Sequence, residues 1–164
     1  MKPWSNRSDI EAALFNPAFC GELILRAVTA YNRGAKHGKF PYALSYLILP
    51  FLLNADLYRA LPSTKRTKLM TWLYEHRHLT PVIANKAKGL KEYTNEAIIL
   101  YLNMELLQIN DQIELETGSL KMARKRNFHR EEVEKILKRA EFLGSWLSEG
   151  GDVVTIYSLI GITV

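Results

Sequence analysis

The side chains best suited to chemistry in this sequence are four histidines, one cysteine and a trio of glutamates: His37, His76, His78, His129, Cys20, and Glu131, Glu132 and Glu134. None stands in the pattern its chemistry needs. Histidines that grip a metal from one helix recur one turn apart, whereas His76 and His78 are separated by a single residue and point in different directions on a helix. A thiolate zinc site needs several cysteines, and only Cys20 is present. No sequence cue pairs Cys20 with a histidine, so it reads as a small buried apolar residue. The glutamates gather where a helix starts and complement its dipole, which favours acids there without catalysis. Gly34 to Gly38 lacks the Gly-Lys-Ser/Thr ending that cradles phosphate and magnesium. No enzyme, no metal site and no cofactor is expected.

The chemistry that remains is electrostatic. The chain has 164 residues, 22 Lys and Arg against 17 Asp and Glu, and a formal net charge of +5. That excess is unevenly spread. Leu57 to Lys91 holds eight bases against the single acid Glu75, a net +7. Lys121 to Arg139 holds eight bases against Glu131, Glu132 and Glu134, a net +5, which leaves −7 for the rest. Arg59, Lys65, Arg66, Lys68, Lys86, Lys88, Lys121, Arg124, Lys125 and Arg126 are therefore the candidate contacts to nucleic acid or to an acidic partner. Phosphate binding by such residues is electrostatic and salt-dependent. Charge runs also cover solvated helix faces or meet acidic protein surfaces, and that second reading is preferred.

The elements that must position these residues are mostly helical. Ser8-Asp9-Ile10-Glu11 fits a capping box before a short helix. Asn16-Pro17 fits a cap and first residue of a longer one with Leu23, Ile24, Ala27, Val28 and Tyr31 on its buried face. Pro41 starts a buried helix through Leu44, Leu47, Ile48, Phe51 and Leu52, with a kink or break expected between Tyr46 and Pro50. Ser63 or Thr64 caps a helix carrying Leu69, Trp72 and Leu73. Thr80-Pro81 opens a short helix to about Gly89-Leu90, and Thr94 caps another with Ala97, Ile98, Tyr101 and Leu102. Alternation about Asn110-Asp111 reads as a β-hairpin over Leu107 to Glu116. A basic mobile loop is expected over residues 118–129, then an amphipathic helix with Val133, Ile136, Leu137, Ala140, Leu143 and Leu147. The stretch from Asp152 to Val164 leans to a short helix closed by Gly161.

The expected fold is thus mainly α with a small β-hairpin, an α+β chain forming one compact domain over residues 1–164. The order helix, helix, hairpin suggests a winged-helix-like subregion over residues 81–117. No apolar run reaches the roughly 20 residues of a membrane span, and cysteine usage points to the cytoplasm.

Several segments, taken in order, resemble the small middle component of three-component ABC (ABC-3C) systems, related to the LmuC subunit of Lamassu bacterial defence systems. They are Asn16-Pro17-Ala18-Phe19, Tyr46-Leu47-Ile48-Leu49-Pro50, Arg59-Ala60-Leu61-Pro62, Arg66-Thr67-Lys68-Leu69 with Trp72-Leu73, Arg139-Ala140-Glu141-Phe142-Leu143-Gly144 with Trp146, and Thr155 to Ile162. The resemblance implies a non-enzymatic subunit working with an SMC/Rad50-like ABC ATPase (LmuB-like) and an effector (LmuA-like), often a nuclease. It also implies anti-phage or anti-plasmid defence, with double-stranded DNA contacted through the complex. Relatives often end Gly-Val-Arg-Pro, whereas this chain ends Gly161-Ile162-Thr163-Val164.

Two functions are carried forward. The first is an adaptor between ATPase and effector, docking through Trp146, Ile156, Tyr157, Leu159 and Ile160. The alternative is a free-standing winged-helix DNA-binding regulator.

Overall fold

Local hydrogen-bond chemistry starts many of the elements. In the computed structural model, which describes residues 7–35, 38–120 and 131–162, Ser8 Oγ accepts the Glu11 N–H at the start of α1 (Asp9–Leu14). Asn16 Oδ1 accepts from Ala18, and Pro17 opens α2 (Pro17–Gly34). A free N–H at a helix start finds an acceptor in each case, and proline loses nothing there.

After α2 the chain makes a two-residue strand β1 (Phe40–Pro41) and a single 3-10 turn, Tyr42–Leu44, before α3 (Ser45–Leu53). Pro41 therefore belongs to a strand rather than to a helix start. Asn32 explains the strand: its Oδ1 accepts the Phe40 N–H and its Nδ2 donates to the Leu115 carbonyl, tying β1 to the hairpin. Helix α3 runs through Pro50 without ending, and the break comes at Asn54, which caps α4 (Ala55–Ala60) by accepting from Leu57. Leu47 to Leu52 are all buried, as an apolar helix surrounded by others requires.

Residues 61–68 form a loop, so neither Ser63 nor Thr64 caps a helix; α5 (Leu69–Glu75) begins after Lys68. A 3-10 turn, Arg77–Leu79, leads into α6 (Thr80–Asn103). This helix replaces the two short ones expected over Pro81–Leu90 and Asn95–Met104. Thr94 interrupts nothing, because its hydroxyl donates to the Leu90 carbonyl one turn back. With one helix in place of two, the winged-helix-like subregion 81–117 loses the helix pair on which it rested.

The hairpin is present as β2 (Leu107–Ile109) and β3 (Glu114–Thr117), and β1 adds a third strand to give an antiparallel sheet in the order β1-β3-β2. Its register pairs Phe40 with Leu115, and Leu107 with Thr117. The connecting turn is held by Asn110 Oδ1, which accepts from Gln112 and Glu114, and it places Ile113 at a positive φ of 58°. Of the expected mobile loop 118–129, Gly118 and Leu120 donate back to Leu106 and Glu105. Residues 121–129 lie outside the described residues.

Helix α7 (Glu131–Leu147) and α8 (Val153–Ile160) complete the chain. Asp152 caps α8, and Gly161 at φ 79° closes it in the left-handed conformation that glycine adopts without strain. Helix α2 is the centre of the molecule. It packs most extensively on α7, then on α6, and also against α3 and β3. Cys20, Leu23, Ile24, Ala27 and Val28 of α2 are fully enclosed, as are Leu143 and Trp146 of α7. The architecture is mainly α with a small antiparallel sheet.

Candidate functional site

The loop 61–68 has no backbone ladder of its own, so side chains of α7 satisfy its carbonyls and one from α5 satisfies the end of α4 just before it. Trp72 Nε1 donates to the Ala60 carbonyl at 2.9 Å, and Trp146 Nε1 donates to the Thr67 carbonyl at 2.8 Å. Arg139 donates to the carbonyls of Pro62 and Leu61 at 2.9 and 3.1 Å, with its guanidinium over the rings of Tyr58 and Phe142. The two tryptophans meet edge to face, their centroids 5.6 Å apart. At the end of α7, Lys65 and Lys68 each lie 2.7 Å from Glu149, one on either oxygen. Those two ammonium groups hold the Glu149 carboxyl below its ordinary range.

This clamp redistributes the residues expected to contact phosphate. Lys65 and Lys68 are engaged by Glu149, and Lys65 also donates to Ser145. Arg59 is exposed on α4, 3.8 Å from Asp56, and Arg66 is exposed in the loop. Lys86 and Lys88 are exposed on α6. Lys121, Arg124, Lys125 and Arg126 lie outside the described residues. The described members of this set sit on α4, on the loop 61–68 and on α6.

The residues expected to dock a partner lie mostly inside the fold. Trp146 and Ile156 are fully enclosed, and Tyr157 and Ile160 are buried. Helix α8 spends its apolar face on α6 and α5, and Tyr157 donates its phenol to the Ala43 carbonyl at 2.6 Å. Trp146, Ile156, Tyr157 and Ile160 pack in the core, and Leu159 faces outward.

A different surface survives between α6 and α8. There a groove of about 540 Å³ is lined by the small apolar side chains of Ala43, Ala84 and Ala87. Tyr46, Tyr157 and Ile162 also line it, with Asn85, Lys88 and Lys91 of α6. Burial and the neighbouring Tyr42 raise the Tyr46 phenol above its ordinary value, and burial pushes Tyr157 up to about 12. Both hydroxyls stay protonated and are committed as donors, Tyr46 to Asn95 at 2.8 Å and Tyr157 to Ala43. Among the described residues no acid lines the groove, and none pairs with Lys88 or Lys91. Sequence reasoning missed Lys91 because a helix end was expected at Gly89. Read as one helix, Ala84, Ala87, Lys88 and Lys91 follow the i, i+3, i+4, i+7 spacing of a single face.

Among the described residues, no cluster of three or more His, Cys, Asp or Glu could hold a metal, and no helix is long and apolar enough to cross a membrane. Burial, and secondarily the charge of Glu96, pushes the Cys20 thiol up to about 12, which keeps it protonated. The arrangement therefore offers a clamped helical body with a basic, apolar-lined groove, suited to holding another molecule.

A family model described as ABC-three component (ABC-3C) system Middle Component 3 matches residues 4–164. No curated protein and no solved structure matches the chain.

Proposed function

The chain belongs to the Middle Component 3 family of ABC-three component systems, and from that premise we propose that it is a non-enzymatic adaptor. In this reading it binds an SMC/Rad50-like ABC ATPase and links it to an effector such as a nuclease, in a Lamassu-like defence complex. Double-stranded DNA is then reached through the assembled complex rather than by this subunit alone.

The family match along nearly the whole chain carries the reading. The clamp supports it from the physical side. The segments that give the chain its resemblance, from Arg59 to Leu73 and from Arg139 to Trp146, spend their hydrogen bonds on one another. Residues placed in this way hold two distant helices in fixed relation, which suits a part that must present surfaces in register.

Co-expression with the ATPase and effector encoded beside it tests this reading. The chain is expected to co-purify with at least one of them. Failure to co-purify at every salt concentration and in every nucleotide state would overturn it.

A further inference from the structure

The groove between α6 and α8 has two properties that are seldom useful together. Its lining is apolar at Ala43, Ala84, Ala87, Tyr157 and Ile162, and it also includes Lys88 and Lys91 of α6. Both lysines are exposed and have no ion-pair partner among the described residues, whereas Lys65, Lys68 and Lys135 are all paired. The alanines keep the lining small and apolar, and the tyrosine hydroxyls that could have made it polar donate to Asn95 and Ala43. Glu92, on the same helix, does not line the groove.

We propose that this groove is a docking site for a short acidic-and-apolar polypeptide segment of a partner protein, a deduction that rests on the adaptor reading above. The apolar lining takes one or two hydrophobic side chains, and flanking carboxylates meet Lys88 and Lys91. The charge alone would suit a nucleic acid as well, but a duplex backbone has no apolar side chain to cover that lining. Carboxylates on a partner segment satisfy both halves of the surface. Their field steers the encounter, and the apolar lining holds what arrives.

The test is co-purification of the full chain with the co-expressed components of its system. Three forms are compared: wild type, the double reversal Lys88→Glu/Lys91→Glu, and a control, Lys39→Glu/Lys138→Glu, with the same charge change at exposed sites outside the groove. The altered side chains are exposed, so far-UV circular dichroism and thermal midpoint should match across the three. Expected is a fall in partner affinity of about tenfold or more for the groove variant and none for the control. Wild-type capture with unchanged capture by the groove variant overturns the groove while leaving the adaptor reading intact. A wild-type chain that captures neither component overturns both. Two further results also overturn the proposal. One is loss of labelled duplex retention with partner capture intact, which assigns the lysines to DNA. The other is a change in sedimentation with partner capture intact, which assigns the groove to a second copy of this chain.

Discussion

The same substitution at two glycines should move stability in opposite directions. Gly144 lies on α7 where it crosses α2. A Cβ built there would sit 2.0 Å from the Ala27 carbonyl oxygen and 2.6 Å from its carbon. Both are backbone atoms of the central helix, so no flexible side chain can yield. The helices would have to separate by roughly 1 Å across the most extensive packing interface in the molecule. Overpacking of this kind costs about 1–3 kcal/mol, and a backbone obstacle places it at the upper end. Alanine recovers roughly 1 kcal/mol of helix propensity, leaving Gly144→Ala less stable by about 2 kcal/mol. Gly89 lies within α6, is exposed, and a Cβ there meets nothing within 4 Å. Gly89→Ala keeps only the propensity gain, a stabilisation of about 0.5–1 kcal/mol. Urea unfolding followed by far-UV circular dichroism measures both as shifts in midpoint at constant slope. If Gly144→Ala unfolds at or above the wild-type midpoint, the close crossing of α2 and α7 is refuted. If Gly89→Ala unfolds below it, the continuity of α6 through that position is refuted.

Glu149→Gln should lower stability by about 0.2–1 kcal/mol, the ordinary worth of partly exposed ion pairs. Because the folded carboxyl titrates below its ordinary value of 4.5, the contribution is complete above that value and is lost as pH falls through the folded one. The gap between wild type and variant in an acid series of unfolding midpoints should therefore close, and a gap that widens in acid contradicts the Lys65–Glu149–Lys68 bridge. Ile113 is exposed and β-branched at φ 58°, so Ile113→Asn should raise the urea-unfolding stability by up to about 1 kcal/mol, since asparagine tolerates the left-handed region. A drop would show that the Ile113 side chain packs on something. Cys20, enclosed and protonated at neutral pH, should resist a thiol-specific reagent until urea unfolds the chain, and labelling in native buffer would contradict its burial.

Much of the helical architecture was legible because its signals are short-range. Ser8, Asn16 and Asp152 cap by hydrogen bonds within three residues, and Gly161 closes α8 through its own backbone angle. What escaped depends on distant partners. Strand β1 exists because Asn32 and the Leu115 carbonyl receive it. The loop 61–68 looked like a capped helix because nothing nearby reveals that Arg139 and Trp146 will hold it open. Gly89 and Thr94 have the residue types of a stop and a cap, yet the packing of Ile83, Ala87, Ala97 and Ile98 carries α6 through both. The apolar face of α8 was visible, but not whether it faced inward or a partner. Counting charges along the chain located basic segments and could not show that Glu149 occupies two of their lysines.

The pairing of α2 with α7 also sets an order of events in time. Arg26 and Glu141, joined across that interface at 2.6 Å, are 115 residues apart in the chain. During synthesis α2 emerges well before α7, the helix on which it packs most extensively. Local contacts form first, while this long-range closure must wait and carries the entropy of a large loop. The loop 61–68 waits with it, since Arg139 and Trp146 are on the same helix. A nascent or truncated chain ending before α7 therefore exposes the apolar face of α2 and lacks the clamp. The clamp on the loop 61–68 therefore forms only once α7 is available to close it.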